Sequence, residues 1–160
     1  KTHPTDTTHW FVRNGMLAAK GERGMLYTDR GDYENFRFRI EAKINDGGNS
    51  GQYFRVQYQK AWPNGYEAQI NSTQRDPQKT GSLHNRVSIT QMLVPPNTFF
   101  TQEVIANGNH IVIFVNGKKV VDYVDPENTY SRGHLGIQYM PGTDLAIRRI
   151  EVMELPRATK

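Results

Sequence analysis

Short runs in which apolar and polar residues alternate constrain the fold of this chain more than any other feature. From position 36 to position 44, apolar side chains at the even positions alternate with charged side chains at the odd ones. A period of two places these two sets on opposite faces of a β-strand. Comparable runs lie at 52–59, 65–71, 104–106, 110–115, 119–124, 134–139 and 145–155. The pattern predicts a protein built from many short strands.

Residues that favour turns separate these runs. Asn107-Gly108 and Asn116-Gly117 are typical of tight hairpins, because both residue types tolerate the left-handed backbone that such turns need. The stretch 72–98 lacks alternation and predicts long loops, and no segment shows the periodicity of an amphipathic helix. We therefore expect one all-β domain, a sandwich or a barrel, over residues 1–160, with 1–9 as a loose N-terminal segment. Its core should include Phe38, Ile40, Phe54, Tyr66, Ile70, Ile113, Val115 and Ile137.

Composition excludes several classes of site and partner. The chain has no cysteine, so it carries no disulfide and no thiolate nucleophile or metal ligand. Its formal net charge of +4 is scattered, which argues against a nucleic acid as partner, and no apolar stretch is long enough for a membrane span. We identify no cofactor motif and no histidine pair with metal-ligand spacing, although the residues leave a divalent metal open as a Lewis acid.

The polar faces of three predicted strands offer a candidate site. They carry Arg37, Arg39 and Glu41, then Tyr53, Arg55 and Gln57, then Glu67, Gln69 and Asn71. If the strands are neighbours, these side chains line one groove, and their planar hydrogen-bonding groups suit hydroxyl-rich ligands. The alternative is that they are merely the solvent-facing positions of a one-sided sheet.

Glu67 is the single carboxylate on its strand face. Its companions at positions 69 and 71 are amides. An ordinary glycosidase needs two carboxylates that flank the scissile bond, and this strand does not supply them. We therefore expect Glu67 to act as a lone acid or base if the site is catalytic.

Motifs along nearly the whole chain, taken in order, resemble those of one family. They are Trp10 to Leu17, Tyr33 to Ile44, Gly48 to Arg55, Gly65 to Ile70, Thr80 to Leu83, Val115 to Gly117, Gly136 to Gln138 and Ile147 to Leu155. The ordered set resembles the 3-keto-disaccharide hydrolase family. The resemblance implies a concanavalin A-like fold, which is a two-sheet antiparallel jelly-roll sandwich, and cleavage of glycosidic bonds in sugars oxidised at C3.

The implied chemistry suits a lone carboxylate. A ketone at C3 acidifies the proton on C2, so one base can remove that proton while the C1 substituent leaves, and water then adds to the unsaturated sugar. The resemblance makes Glu67 the candidate catalytic base and gives no metal ligand. The implied substrate-binding residues are Asn49, Arg55, Gln69, Gln138 and Arg148. We add His84 as a further candidate for substrate binding, or as a new acid or base, although a lone loop histidine is more often simply exposed.

The chain also departs from the family pattern at several positions. His84 replaces a customary tyrosine, and Arg149 replaces an asparagine beside Arg148. The lost polar groups leave a second function open, that of a non-catalytic carbohydrate-binding or adhesion module of the same fold. Both functions predict a carbohydrate ligand and a secreted or periplasmic location, and both allow the domain to be part of a longer multidomain chain.

Overall fold

The computed structural model describes residues 1–60 and 62–156, and these residues form strands and connecting loops. No helix in that part of the chain is long and apolar enough to cross a membrane. The strands, in chain order, are β1 (His9–Arg13), β2 (Met16–Lys20), β3 (Gly24–Tyr27), β4 (Phe36–Ile44), β5 (Ser50–Val56), β6 (Tyr66–Ile70), β7 (Phe100–Asn107), β8 (His110–Val115), β9 (Lys118–Val124), β10 (His134–Tyr139) and β11 (Leu145–Glu154).

The strands pair into two antiparallel sheets. The seven-stranded sheet has the order β1-β2-β11-β4-β7-β8-β9, and the four-stranded sheet has the order β3-β10-β5-β6. Their facing sides enclose a hydrophobic core that contains all of the residues that the alternation predicted to be buried. The prediction of an all-β, two-sheet antiparallel sandwich is therefore confirmed.

Local sequence explains how the strands and hairpins form. In β4 the even-numbered apolar residues are buried, whereas the odd-numbered charged ones lie towards solvent. At the β8–β9 turn, Asn116 and Gly117 have φ of 49° and 76°. Two consecutive positive φ values match the right-handed twist of the flanking strands. The predicted hairpin signals are thus confirmed at this turn.

The N-terminal part of the chain is more ordered than the alternation suggested. β1 and β2 form a hairpin on Asn14 and Gly15, whose φ values are 52° and 73°, although neither strand was predicted. Of residues 1–9, which we expected to be loose, His9 begins β1, and Lys1 contacts β3 through paired backbone bonds with Tyr27. Because β3 is an edge strand of its sheet, its free backbone groups bind this segment.

The sheet assignment corrects the predicted groove. β4 pairs with β11 and β7 rather than with β5, so Arg37, Arg39 and Glu41 lie on the outer face of the seven-stranded sheet. β5 and β6 are neighbours in the other sheet, as expected. The three polar faces therefore do not line one groove, because alternation reveals which face of a strand is polar but not which sheet the strand joins.

Candidate functional site

The outer face of the four-stranded sheet forms the floor of the candidate site. The strand register aligns outward positions into two rows. One row is Met25, Gln138, Gly51 and Gln69, and the next is Tyr27, Gly136, Tyr53 and Glu67. Each row thus crosses four strands and includes one glycine, which leaves room above the sheet for larger neighbours.

The Gly51 position makes room for the Glu67 side chain. A methyl group there would overlap Glu67 Oε1 and would lie 2.8 Å from Cε2 of Tyr53. Glycine is needed at this point because the carboxylate bends over the neighbouring strand. The sequence Gly51-Gln52-Tyr53 therefore helps to shape the site.

Neutral donors hold the Glu67 carboxylate. The Tyr53 hydroxyl donates to Oε2 of Glu67 at 2.8 Å, and Nε2 of Gln138 donates to the Tyr53 oxygen at 3.1 Å. In the orientation that pairs both of its amide atoms, Gln69 donates to Oε1 of Glu67 at 3.1 Å and to the Ser50 carbonyl at 2.9 Å. The donation from Gln138 directs the Tyr53 proton towards Glu67.

Burial determines the acidity of this group. Desolvation raises the pKa of Glu67 to about 7, although the hydrogen bond from Tyr53 lowers it and the charge of Asp76 raises it further. Desolvation, followed by the Glu67 charge, also raises the pKa of Tyr53, so the phenol stays neutral and donates. Glu67 is therefore a carboxylate that can exchange a proton near neutral pH.

His84 lies between two carboxylates. Its Nδ1 is 3.6 Å from Oε2 of Glu67, and its Nε2 is 3.6 Å from Oδ2 of Asp76. The His84 amide donates to the Glu67 carbonyl at 2.9 Å, which fixes the histidine beside the end of the Glu67 side chain. Among residues 1–60 and 62–156, no lysine or arginine lies within 4 Å of the Glu67 carboxylate, and no group of three or more His, Asp or Glu is arranged to hold a metal ion.

An open cleft of about 470 Å³ lies above Glu67. Its walls are formed by loop residues at 62–65, 84–86 and 130, so the cleft lies between the sheet floor and the loops that connect the strands. Its volume is in the range of sites that bind small molecules. The lining residues are Tyr53, Trp62, Pro63, Gly65, Tyr66, Glu67, His84, Asn85, Arg86 and Tyr130.

A family model described as the 3-keto-alpha-glucoside-1,2-lyase-like domain matches residues 1–153. The chain belongs to this family. This assignment confirms the resemblance that the ordered motifs indicated. A comparison with curated proteins gave no significant match.

Solved structures share the fold at low sequence identity. A Parabacteroides distasonis ATCC 8503 protein, inferred to be a glycosyl hydrolase, is 23% identical with a TM-score of 0.77, over 91% of this chain and 90% of its own. The carbohydrate-binding module CBM66 from Bacillus subtilis is 15% identical with a TM-score of 0.71, over 92% of each chain. The exoplasmic/lumenal domain of VIP36 is 9% identical with a TM-score of 0.69, over 96% of this chain and 84% of its own. These similarities confirm the concanavalin A-like jelly-roll fold.

Four of the candidate residues from the sequence analysis come together here. Glu67, Gln69 and Gln138 lie on the sheet floor, and His84 lies in the cleft wall. Gln69 contacts the Glu67 carboxylate and Gln138 contacts the Tyr53 hydroxyl, and neither lines the open cleft itself. Their position suits residues that orient the Glu67 carboxylate.

The structure places Arg55 and Asn49 outside the cleft lining. Arg55 sits in a β-bulge at φ 50°, and its guanidinium donates to the carbonyls of Glu34 and Tyr130. The bulge turns Arg55 away from the face that Tyr53 occupies, so its buried charge ties two loops together. Asn49 exchanges hydrogen bonds with Thr143 through its backbone, and its side-chain oxygen is buried without a partner.

Arg148 lies on the other sheet. It belongs to β11, where it forms an ion pair with Glu41 at 2.5 Å and covers the ring of Phe99. Because the two sheets face each other through the core, an outward side chain of β11 cannot reach the cleft above β6. Arg148 therefore does not join the Glu67 site.

Sequence inspection gave no role to several residues around Glu67. It placed Tyr53 on the polar face of the candidate groove but not beside Glu67, which the register of the strand pair now shows. Asp76, Trp62 and Arg86 lie in loops without a repeating pattern, and their approach to Glu67 depends on how those loops fold over the sheet.

Proposed function

We propose that this domain cleaves the glycosidic bond of 3-keto-glucosides by elimination and hydration, with Glu67 as the general base. The observation that carries the proposal is a buried carboxylate whose pKa is raised to about 7 and whose oxygens contact neutral donors and a histidine instead of a lysine or arginine within the described residues. Burying a carboxylate in this way destabilises the fold. A role as a base with a pKa near neutrality accounts for its position.

The first half of the reaction breaks the glycosidic bond. Glu67 takes the C2 proton, which the C3 ketone has acidified, and the released electron pair forms the C1=C2 double bond. The bond from C1 to the leaving oxygen breaks, and protonated His84 donates a proton to that oxygen. The products are a 1,2-unsaturated 3-keto sugar and the free alcohol.

The second half adds water and restores the site. Neutral His84 takes a proton from water as the oxygen bonds to C1, and protonated Glu67 returns its proton to C2. The sum of both halves is hydrolysis, and each residue returns to its starting state. One base and one acid are therefore sufficient, which agrees with the single carboxylate on the outward face of β6.

Arg86 supplies positive charge near the C3 oxygen, where negative charge develops while the C2 proton is removed and again while it is returned. Its guanidinium lines the cleft and is held by Tyr123 at 3.4 Å, by Thr129 at 3.2 Å and by the buried Asp125 at 3.8 Å. A cation that is already fixed in place stabilises developing negative charge without having to reorganise. We assign Arg86 to the C3 oxygen on this basis.

A second candidate function is carbohydrate binding without catalysis. The similarity to CBM66 over 92% of both chains favours it. A binding module gains nothing from a carboxyl of raised pKa, however. Amides, hydroxyls and exposed charged side chains also form hydrogen bonds with sugar hydroxyls. Under either function, we propose a carbohydrate ligand and a secreted or periplasmic location.

The deciding experiment compares a 3-keto-disaccharide with its unoxidised parent. Purified protein should release the free sugar from the oxidised compound, and the parent should stay intact because its C2 proton is not acidic. Binding of both compounds without turnover of either would favour the binding module. Rapid cleavage of the parent would overturn the elimination mechanism and would require a second carboxylate, for which Asp76 is the nearest candidate.

A further inference from the structure

One wall of the cleft carries an aromatic side chain that the proposed chemistry does not use. Trp62 lies in the β5–β6 connection and lines the same cleft as Glu67. Its residue is 59% exposed, more than any other large aromatic residue in the described part of the chain. An exposed indole at the wall of a cleft is a large, rigid apolar surface that a ring of a bound ligand can cover.

Arg23 covers the Trp62 ring. The centre of its guanidinium lies 4.3 Å from the ring centroid, and the described residues place no carboxylate within 4 Å of it as an ion-pair partner. A guanidinium this close to the ring centroid is attracted by the negative face of the ring. No hydrogen bond found among the described residues uses the N–H groups of Arg23, so they are available as donors to a ligand.

Hydrogen bonds to β3 and to the N-terminal segment hold both residues. Nε2 of Gln59 donates to the Trp62 carbonyl at 2.8 Å, and the Tyr27 hydroxyl donates to the Gln59 carbonyl at 3.1 Å. The hydroxyl of Thr8 donates to the Glu22 carbonyl at 2.7 Å, next to Arg23. These bonds hold the backbone that carries both side chains, which lowers the entropy lost on binding.

We propose that Trp62 and Arg23 form a subsite for the leaving group, which presents a flat ring to the indole. This inference rests on the proposed function, in which Glu67 acts on C2 and the leaving group is attached at the adjacent C1. The part of the substrate beyond C1 must therefore occupy a wall of the cleft, and the part of the Trp62 ring that Arg23 leaves uncovered offers a flat apolar surface there. Two ring types share this chemistry, a phenol ring and a pyranose, and the N–H groups of Arg23 match the hydroxyls of the pyranose.

The test uses 3-keto-glucosides with methyl, phenyl and glucosyl leaving groups. Trp62→Ala should lower kcat/KM about tenfold for a ring-bearing leaving group, and it should change the methyl compound less than twofold. Trp62→Phe keeps a flat ring and should recover most of the loss. Phe11→Ala, which removes a ring from β1 on the other sheet, is the matched control and should leave all three rates unchanged.

Arg23→Met distinguishes the two sources of the ring. Methionine keeps an apolar chain against the indole but lacks N–H donors. A larger loss for the glucosyl compound than for the phenyl compound identifies a sugar leaving group, and equal small losses with a strong Trp62 effect identify a phenol. Equal losses by Trp62→Ala for the methyl and ring compounds, or no loss for any of them, would overturn the subsite.

A binding measurement separates this inference from the proposed function. The chain has two tryptophans, so Trp62 can be observed by fluorescence in a Trp10→Phe background. Phenyl glucoside or a disaccharide should change the Trp62 emission even if no 3-keto compound is turned over. Emission that does not change at saturating concentrations of either compound overturns the subsite, whereas a change without turnover leaves the subsite standing and overturns the catalytic proposal.

Discussion

The Tyr53 hydroxyl donates a 2.8 Å hydrogen bond to Oε2 of Glu67 across two paired strands. The two residues are directly opposite each other in the β5–β6 register, so the backbone ladder holds donor and acceptor at this distance. The bond lowers the pKa of Glu67 while burial raises it, and the balance of the two leaves the pKa at about 7. The strand register thus adjusts the strength of the proposed base.

Glu67→Gln tests the base directly. Glutamine has nearly the same shape but no basic oxygen, so turnover of a 3-keto-disaccharide should fall about 10² to 10⁴-fold, while binding of the substrate is retained. Glu41→Gln, which changes the Arg148-paired carboxylate on the other sheet, is the control and should keep full activity. Turnover of Glu67→Gln within a few-fold of the wild type would show that Glu67 is not the base.

The rate should depend on pH through the Glu67 carboxyl. The ionised form is the active base. For a 4-nitrophenyl 3-keto-glucoside, whose leaving group needs no proton from His84, kcat/KM should therefore rise with pH up to about pH 7 and level off above it. Tyr53→Phe removes a hydrogen bond that lowers the pKa of Glu67, so the rise should move to higher pH in this variant. Rate profiles of both proteins from pH 5 to pH 9 check the shift, and a rise near pH 4.5 in the wild type would contradict it.

The same carboxyl should make the wild-type protein less stable as pH rises. Its pKa is about 7 in the folded protein against 4.5 ordinarily, so the folded state binds the proton more tightly. The stabilisation is complete below pH 4.5 and is lost as pH rises to about 7, which amounts to about 3 kcal/mol of unfolding free energy. Urea unfolding of the wild type and of Glu67→Gln at pH 5 and pH 8 should show this loss in the wild type alone. An equal pH dependence in both proteins would assign it to other groups.

Gly51→Ala should displace the base without unfolding the domain. The new methyl group would overlap Oε1 of Glu67, so the carboxylate must move away from Tyr53. We expect turnover to fall at least tenfold with little change in the circular dichroism spectrum. Gly136→Ala is the matched control, because its methyl group would meet the flexible end of Met25 at 3.1 Å and the Leu26 carbonyl at 3.2 Å on the same face. Equal losses in both variants would point to general damage of the sheet.

His84→Ala tests the proposed acid. A leaving alkoxide needs a proton, whereas a nitrophenolate does not, so the loss should be large for an alkyl 3-keto-glucoside and small for a 4-nitrophenyl one. His110→Ala removes an exposed histidine paired with Asp122 and should leave both rates unchanged. If the alkyl and nitrophenyl compounds lose rate equally, His84 positions Glu67 rather than protonating the leaving group.

The sequence by itself determined the class of fold, the core and the proposed base. Alternation in 36–44 and 65–71 identified which face of each strand is apolar, since burial of one face is a local consequence of a two-residue period. The same logic placed Glu67 on the outward face of β6, and the turn residues Asn116 and Gly117 marked a hairpin through their backbone preference alone.

Only the tertiary structure decided which strands are neighbours and which loops cover the sheet. The outward positions of β4 and β6 read alike in sequence, yet strand pairing places Arg39 and Arg148 on one side of the molecule and Glu67 on the other. Alternation predicted that Arg55 lines the groove, but the β-bulge buries its guanidinium, which donates hydrogen bonds to carbonyls in two loops. His84, Asp76 and Trp62 come near Glu67 through the packing of loops, and desolvation by that packing raises the pKa of the Glu67 carboxyl. Strand pairing and burial are long-range properties, so no local sequence period encodes them.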